Sequence, residues 1–316
     1  MTDIKKVSVV LASYNGIRYI EEQLDSLRTQ TLIPDEVIIS DDGSTDGTYD
    51  FCLKYISQHN LSGWHAFRNE KNLGFKQNFR FALSKCTGDY IFTCDQDDVW
   101  MNDKIQIMVS VMNSHPEINL LVSNIAYLYE GGKSKLHMKY VTRNDGSLMQ
   151  LKLKEFGLMN QRPGCTFCFR RELLEQYKVL DFDYAFHDEM LWRHAIVSDS
   201  LYLLNKRLIF WRRHGDNATF ASRPKSQYPS ISMKIEECDE QSNVYQGFLD
   251  HSDALRISPA NQKILTDTIN FYMRRKKILK TNNMFRIILF VLMNLRYYPT
   301  FRRVLSDIYA AVFLRT

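Results

Sequence analysis

The sequence predicts an α/β fold, in which a mixed, largely parallel sheet carries helices on both faces and precedes a helical C-terminal region. Three observations predict this fold. Apolar runs alternate with helix-like segments over the first hundred residues, polar and acidic motifs follow directly after three of those runs, and the pattern from Ile231 onward is helical. We place a first domain at residues 1–225 and the helical region at residues 226–316.

The first predicted unit is a strand, a helix and a second strand. Val7–Leu11 is a continuous apolar run rich in valine, which is typical of a strand buried on both faces of a sheet. Apolar residues recur at helical spacing within Ile17–Gln30, and Val37–Ile39 is a second buried run. Such βαβ units form parallel sheets, in which ligands bind at the carboxyl ends of the strands.

The alternation of strands and helices continues along the chain. The next predicted elements are a helix at Thr48–Gln58, a strand at Trp64–Arg68, a helix at Lys76–Ser84, a strand at Tyr90–Cys94, a helix at Lys104–Asn113, a strand at Leu120–Ile125, a strand-to-helix unit at Thr166–Tyr177, a helix at Asp188–Ile196, and strands at Leu201–Leu204 and Arg207–Trp211. Irregular polar sequence is predicted as far as Ser147. Breaks between the C-terminal helices are predicted near Ser258, Asn282 and Pro299.

The composition is that of a globular protein. With 45% hydrophobic and 24% charged residues among 316, the chain can bury a core and is too apolar to be disordered. No stretch approaches the roughly 20 apolar residues that span a bilayer, and the start MTDIKKVSVV lacks the apolar core of a signal peptide. We therefore expect a cytoplasmic protein. Peripheral attachment to the inner face of the cell membrane is compatible with this expectation.

Positive charge is concentrated near the C-terminus. Ten Lys or Arg residues and a single acid, Asp307, lie between Asn270 and Thr316, whereas the whole chain carries a net charge of only +5. The apolar stretches IILFVLMNL and IYAAVFL in this segment are too short to span a membrane, but they can form amphipathic helices on an anionic membrane surface. Packing on the first domain or on a second subunit, as in a homodimer, is the alternative.

An acidic motif follows the strand predicted at Tyr90–Cys94. Asp95, Asp97 and Asp98 lie within four residues, and two carboxylates 4 Å apart repel by about 4 kcal/mol at an effective dielectric near 20. The cluster predicts a cation, and hard oxygen ligands favour Mg²⁺ or Mn²⁺. If the strand continues, Asp95 and Asp97 point to one side. A solvated turn, or an N-cap formed by Asp98, is the alternative.

Two further polar motifs follow the first and second strands. Asp41 and Asp42 end the second strand, where a carboxylate can accept hydrogen bonds from a nucleobase imide or a ribose hydroxyl. Tyr14 follows the first strand and can stack on a base, although an isolated tyrosine can equally be packed in the fold. The residues Ser44, Thr45 and Asp46 can instead cap the next helix without any ligand.

Four motifs together resemble glycosyltransferase family 2, which has the Rossmann-like GT-A fold. They are S-Y-N-G at Ser13–Gly16, D-D-G-S-T-D-G-T at Asp41–Thr48, N-x-G-F-x-x-N at Asn72–Asn78, and D-Q-D-D-V-W at Asp95–Trp100. The last motif resembles bacterial rhamnosyltransferases of surface polysaccharide assembly. The resemblance continues in Gly164–Thr166, His187-Asp188 and Trp211–Asn217, and it covers about residues 5 to 220.

The resemblance implies roles for most of these positions. Tyr14 and Asp41 would hold the nucleobase, Asp95 would face the ribose and diphosphate, and Asp97 would be the principal metal ligand. His214 matches a histidine that can complete the metal site, or it is structural. The implied nucleotide-sugar site comprises Ser13, Tyr14, Asn15, Asp41, Asp42, Asn72, Asn78, Asp95 and Gln96, and the implied metal set comprises Asp95, Asp97 and His214.

Members of this type invert the anomeric carbon, which requires a base that takes a proton from the acceptor hydroxyl. Asp188 matches that base, or it is the N-cap of its helix. Gly164, Cys165 and Glu189 are placed on the acceptor side, where the glycine would let a sugar approach closely. The lone pair Cys165 and Cys168 lacks the context of a zinc or redox site, so we expect all six cysteines to be ordinary thiols.

The sequence therefore predicts an inverting glycosyltransferase. We expect dTDP-rhamnose as donor, with a UDP-hexose as the alternative, and a hydroxyl of a growing, lipid-linked surface glycan as acceptor. A nucleotidyltransferase would need a glycine-rich, basic N-terminal loop that is missing. Nothing in the basic segment resembles a nucleic-acid recognition motif, so we expect no nucleic-acid partner. A non-catalytic nucleotide-binding protein is disfavoured because every expected acidic position is filled.

Overall fold

A computed structural model describes residues 5–129, 142–154, 158, 160–180, 187–214, 230–298 and 301–313. Nine strands lie within these ranges: β1 (Val7–Ser13), β2 (Glu36–Asp41), β3 (Trp64–Arg68), β4 (Tyr90–Asp95), β5 (Val99–Trp100), β6 (Leu120–Tyr129), β7 (Leu148–Gln150), β8 (Phe167–Arg170) and β9 (Leu201–Arg213). Six helices lie among them: α1 (Ile20–Arg28), α2 (Thr48–Gln58), α3 (Phe75–Lys85), α4 (Lys104–Ser114), α5 (Arg171–Val179) and α6 (His187–Val197). Four more helices come after β9: α7 (Ile231–Asp250), α8 (Pro259–Leu279), α9 (Met284–Met293) and α10 (Phe301–Phe313). Short 3₁₀ turns lie at Gly164–Thr166 and Leu295–Tyr297.

All nine strands belong to one sheet, in the order β3-β2-β1-β4-β8-β6-β9-β5, with β7 paired to β9. Strands β3, β2, β1 and β4 are parallel to one another, and β8 is antiparallel to both β4 and β6. Strands β6 and β9 are again parallel. The predicted fold, a mixed and largely parallel sheet with a helical C-terminal region, is confirmed.

The strand register brings the polar motifs to one edge. Ser13 at the end of β1 lies opposite Asp41 at the end of β2, and Ala12 lies opposite Asp95 at the end of β4. Because these strands are parallel, their carboxyl ends meet on the same side of the sheet. The prediction that the three motifs converge is therefore confirmed.

Alternate side chains of β1 enter two separate apolar clusters, one on each face of the sheet. Val9 and Leu11 pack with residues of α1, α2 and α4, whereas Val10 packs with residues of α3 and α6. The second cluster continues without a break into α7, α8, α9 and α10. Polar contacts reinforce it, since the Asn261 Nδ2 group of α8 donates to the carbonyl oxygen of Val197 at 2.9 Å. The C-terminal helices therefore share the core of the sheet.

One prediction about local structure was wrong, and one alternative is excluded. The segments Leu201–Leu204 and Arg207–Trp211 belong to one strand, β9, because Asn205 and Lys206 form a bulge that shifts the register against β6. Asp98 does not cap the next helix, because α4 begins at Lys104 after the N-cap position Asp103.

Some predicted features lie outside the described residues. They are most of the irregular segment before Ser147, the break at Pro299, the domain boundary near residue 225, and residues 215–217 of the motif that begins at Trp211. Where the chain is described, β6 extends to Tyr129, beyond the predicted end at Ile125.

A buried ionic network joins the C-terminal helices. Asp307 of α10 is 1% exposed, and its carboxylate accepts hydrogen bonds from Lys234 Nζ at 2.9 Å, from Arg275 Nε and Nη2 at 2.8 and 2.7 Å, and from the Tyr298 hydroxyl at 2.7 Å. Although burial opposes ionisation, Arg275 and then Lys234 lower the pKa of Asp307 to about 2. The single acid of the basic segment is thus held inside the protein.

We predict that Asp307→Asn lowers the free energy of unfolding by about 3–5 kcal/mol, because it removes the buried counter-charge that Lys234 and Arg275 share and leaves Arg275 only its pair with Glu237 at 3.2 Å. Urea denaturation at neutral pH measures the change. The native carboxylate stabilises the fold above its ordinary pKa of 3.8, and this contribution is lost as pH falls toward 2. The Asp307→Asn variant should therefore lose less free energy of unfolding than the unaltered protein does as pH falls from neutrality toward 2.

The matched control for Asp307→Asn is Lys178→Gln, which breaks an exposed pair with Glu175 whose Nζ–Oε1 distance is 2.8 Å. It should change stability by less than about 1 kcal/mol. Equal effects of the two substitutions would show that the Asp307 network does not hold the helices together.

Candidate active site

Asp41 organises the turn after β2. Its carboxylate is fully buried, where Oδ1 accepts from the Ser44 amide at 2.8 Å and Oδ2 accepts from the Ser44 and Ser13 hydroxyls at 2.5 and 3.1 Å. The carboxylate therefore already has three donors from the chain. Nucleobase binding by Asp41 stays a prediction, and its observed contacts tie the ends of β1 and β2 together.

Asp42 and Asn78 are buried, as Asp41 is, and both form hydrogen bonds within the protein. Asp42 accepts from Asn69 Nδ2 and from the Leu73 and Gly74 amides, all at 2.9 Å. Asn78 lies beneath this loop and donates to the Ser40 carbonyl oxygen at 2.8 Å. These two residues shape the edge of the site from below.

Asn72 is exposed beside the same loop, where its Oδ1 accepts from the Gly74 amide at 2.9 Å. Its side chain lies at the surface of the edge, within reach of a ligand. Of the two asparagines in the N-x-G-F-x-x-N motif, Asn72 is thus the accessible one.

Tyr14 stands at the mouth of this edge with 44% of its surface exposed. The Gln96 side chain holds the Tyr14 backbone, because its Oε1 accepts from the Tyr14 amide at 2.9 Å and its Nε2 donates to the Tyr14 carbonyl at 3.0 Å. A Cβ atom on Gly16 would clash with Gln96 Oε1, so this contact requires the glycine. Asn15 accepts from the Thr45 amide at 2.9 Å and joins the two loops.

The acidic motif forms a turn. Strand β4 ends at Asp95, so the condition under which strand alternation would place Asp95 and Asp97 on one side is not met. In the turn, Asp97 Oδ2 lies 2.7 Å from Nε2 of His214, whose ring packs on Tyr19 with a centroid distance of 4.6 Å. Pairing of β5 with β9 brings His214 to this position. Two predicted metal-site residues therefore meet in the fold.

Arg212 fixes the backbone of the acidic turn. Its amide donates to Asp98 Oδ1 at 2.9 Å, its Nε donates to the Asp97 carbonyl at 2.7 Å, and its guanidinium pairs with Glu22. Sequence reasoning assigns Arg212 no role, although it lies in the motif shared with the family. Its contacts explain why an arginine precedes His214 by two residues.

A cluster of three side chains that could bind a metal lies beside the acidic turn. The ligand atoms of Asp95, Asp98 and Cys165 are all within 4.8 Å of one another. Lys104, which sequence reasoning also missed, donates from Nζ to the Cys165 carbonyl at 2.7 Å and lies 3.6 Å from the centre of the Trp100 ring. Burial lowers the pKa of Lys104 to about 8, so it remains largely charged at neutral pH and offsets the nearby carboxylates.

The carboxylates of this edge raise one another's pKa. Burial, followed by the charges of Asp97 and Asp188, raises the pKa of Asp95 to about 7. Burial, followed by Asp97 and Asp95, raises the pKa of Asp98 well above its ordinary value. The site therefore favours either protons or a cation at this edge.

Asp188 lies in the first turn of α6, where its Oδ1 accepts from the Glu189 amide at 2.9 Å. A Cβ atom on Gly164 would lie 3.0 Å from the Asp188 Cβ, while the Thr93 hydroxyl anchors the Gly164 carbonyl at 2.7 Å. Gly164 therefore makes room for Asp188, and the expectation that it also lets an acceptor sugar approach closely stays a prediction.

The other two residues expected on the acceptor side, Cys165 and Glu189, differ in exposure. Cys165 is 1% exposed, so its thiol lies in the interior, and its place on the acceptor side stays a prediction. Glu189 is half-buried, with Oε2 at 3.6 Å from Arg193 Nη2, and remains a candidate. The six cysteines are all buried and free of disulfide bonds.

The residues at this edge fit a divalent cation. Carboxylate and imidazole donors of Asp97 and His214 converge, and such a set suits Mn²⁺ and accommodates Mg²⁺ through the carboxylates. In the described parts of the chain, the buried Oδ2 of Asp98 has no hydrogen-bond partner. An uncompensated buried oxygen beside the charges of Asp95 and Asp97 is the arrangement that a cation relieves.

Sequence comparisons agree with this geometry. A family model described as glycosyl transferase family 2 matches residues 8–178. An uncharacterized protein of Mycobacterium tuberculosis is 30% identical over 216 residues, which are 66% of this chain and 59% of that protein. This chain therefore covers less than two thirds of that relative. The dTDP-rhamnosyl transferase RfbG of Shigella flexneri is 29% identical over 235 residues, 71% of this chain and 78% of RfbG.

Solved structures share the fold at low sequence identity. S. aureus TarS 1-349 in complex with UDP-GlcNAc has a TM-score of 0.60 at 16% identity, covering 97% of this chain and 90% of that chain. The mannosyltransferase PcManGT from Pyrobaculum calidifontis, in complex with GDP-Man and Mn²⁺, has a TM-score of 0.54 at 18% identity, covering 98% and 87%. The GT-A fold is thus confirmed. Because the family model also covers more than half of the chain, the protein belongs to glycosyltransferase family 2.

Proposed function

We propose that this protein is an inverting, metal-dependent glycosyltransferase that moves a sugar from a nucleotide diphosphate donor to a hydroxyl group of a growing glycan. One arrangement carries the proposal: Asp97 meets His214 in the turn after β4, and Gly164, whose carbonyl is held by Thr93 of β4, lies against Asp188 of α6. Two carboxylates suited to different tasks would therefore serve the same end of the sheet.

The donor side is assigned to the edge formed by β1, β2 and β4. The exposed Tyr14 ring would stack on the nucleobase, and Asn72 lies exposed on the same edge. Asp95, Asp97 and His214 would hold Mg²⁺ or Mn²⁺. When bound, such an ion neutralises charge that develops on the departing diphosphate.

Asp188 is the proposed general base. As the acceptor oxygen forms its bond to the anomeric carbon, the bond from that carbon to the diphosphate oxygen breaks on the opposite face. The hydroxyl proton passes to the Asp188 carboxylate. The Glu189 amide orients that carboxylate, and Gly164 gives it space.

We propose dTDP-rhamnose as the donor and a lipid-linked surface glycan as the acceptor. Similarity to RfbG supports the donor, together with the D-Q-D-D-V-W motif. A screen of released nucleotide across dTDP- and UDP-sugars, with Mn²⁺ or with EDTA, tests both the donor and the metal. We expect most release from dTDP-rhamnose and a loss of at least about tenfold in EDTA.

The same screen can contradict the proposal. Preference for a UDP-hexose would overturn the rhamnose assignment and leave the glycosyltransferase in place. Undiminished turnover in EDTA would overturn the metal assignment of Asp97 and His214. The absence of release from every nucleotide sugar, in the presence of glycan acceptors, would contradict the proposed activity.

Asp188→Asn should reduce transfer by about 10² to 10⁴, because the amide keeps the shape of the side chain but cannot accept a proton. Donor affinity, measured by calorimetry, should change little. Glu189→Gln is the matched control, since it neutralises the adjacent carboxylate, and it should retain most activity. If Asp188→Asn stays active and Glu189→Gln does not, Glu189 is the base.

Gly164→Ala should reduce turnover by about 10- to 100-fold, because the added methyl group contacts the Asp188 Cβ and displaces the carboxylate. Donor affinity should hold, since the contact of Gly164 with β4 is made by its backbone carbonyl and does not depend on a side chain. The control is Gly164→Ala introduced into the Asp188→Asn variant, where it should cause no further loss of turnover. If it lowers turnover there by the same factor as in the unaltered protein, Gly164 acts independently of Asp188.

A further inference from the structure

Helix α9 is apolar around almost its whole circumference. Its sequence MFRIILFVLM contains one charged residue, Arg286. Ile287 and Val291 are 2% and 1% exposed and pack into the core shared with the sheet. A helix that is apolar on all sides normally lies inside a protein or in contact with lipid. Only one side of α9 has such an environment here.

The opposite side of α9 is exposed. Phe285, Leu289, Leu292 and Met293 are 77%, 58%, 57% and 76% exposed, and their spacing places them on one face of the helix. The adjoining helix α10 adds Phe301 and Leu305 at 72% and 49%. We call these six residues the α9–α10 face.

This clustering is specific to the end of the chain. Nine of the twenty large apolar side chains that are exposed in the described residues lie between Phe285 and Phe313. Exposed apolar patches of this kind mark interaction surfaces, whereas single exposed apolar residues are ordinary.

The sequence segment from Asn270 onward, which contains the α9–α10 face, is strongly basic. Arg274, Lys277, Lys280 and Arg286 are exposed, and none of them has an ion-pair partner within the described residues. The single acid from Asn270 to the end of the sequence is Asp307, which is buried against Arg275 and Lys234. This segment therefore presents cations and no anions to its surroundings.

We propose that the α9–α10 face binds an anionic membrane surface, with its apolar side chains among the lipid headgroups and its cations on the phosphates. An anionic bilayer complements both the apolar and the basic character of the segment. A second copy of the chain would bring like charges together, because a two-fold interface pairs a patch with itself. Among the described helices, none combines the length and the hydrophobicity needed to span a bilayer. The inference does not depend on the identity of the donor or the acceptor.

Co-sedimentation of the full chain with lipid vesicles tests the proposal. We expect binding to vesicles of phosphatidylcholine with phosphatidylglycerol, at least about tenfold weaker binding to phosphatidylcholine alone, and weakening by added salt. Failure to bind the anionic vesicles at low salt would overturn the proposal. Equal binding to both kinds of vesicle would overturn its electrostatic part.

Matched variants locate the surface. Leu289→Ser with Leu292→Ser should lower the vesicle partition coefficient at least about tenfold, whereas Ile33→Ser with Leu53→Ser, at exposed apolar positions elsewhere, should leave it unchanged. Arg286→Glu should weaken binding more than Lys54→Glu does. Equal losses from the paired substitutions would overturn the assignment. The assignment would also be overturned if the unaltered chain did not bind vesicles but formed a dimer that the Leu289 and Leu292 substitutions abolish. That result would assign the α9–α10 face to a second copy of the chain.

Discussion

The crowding of carboxylates at the carboxyl edge of the sheet is the constraint on which the site depends. Burial raises the pKa of Asp95 and Asp98, and the charges of the neighbouring carboxylates, Asp97 for both and Asp188 for Asp95, raise it further. The fold counters this repulsion from below with the Lys104 ammonium group, and from the side with Arg212 and His214. Much of the local architecture can be understood as the support that keeps these groups together.

The acidic residues of the site separate into two physical classes. Asp41 and Asp42 accept three hydrogen bonds each from neighbouring groups, so their charges are compensated by the chain itself. Asp98 has an uncompensated buried oxygen, and Asp95 has a pKa near neutrality. The carboxylates whose charge the chain compensates stabilise the loops, and those whose charge it does not compensate favour a bound cation. This distinction separates structural carboxylates from candidate ligands more clearly than position in a motif does.

Features that depend on local pattern were predictable from the sequence. Ser13, Asp41 and Asp95 were expected to converge because parallel strands share a carboxyl edge, and the register confirms it. The contact between Asp97 and His214 was suggested only by family resemblance, since it depends on pairing of the two-residue strand β5 with the distant strand β9. No propensity rule predicts so short a strand.

The contacts that the sequence did not predict have a common origin in long-range packing. Gly164 makes room for Asp188, which belongs to a later helix, so the sequence alone could not show this contact. Lys104 was overlooked because a lysine in an amphipathic helix normally faces solvent. Only the fold shows that its ammonium group lies buried beneath the acidic turn.

Whether the crowded carboxylates bind a cation can be measured by thermal unfolding with and without a divalent metal ion. If they do, saturating Mn²⁺ should raise the unfolding midpoint of the unaltered protein by several degrees over EDTA at equal ionic strength. Asp97→Asn should lose most of that rise, because it removes a ligand. Identical midpoints in Mn²⁺ and EDTA for the unaltered protein would contradict a cation site at this edge of the sheet.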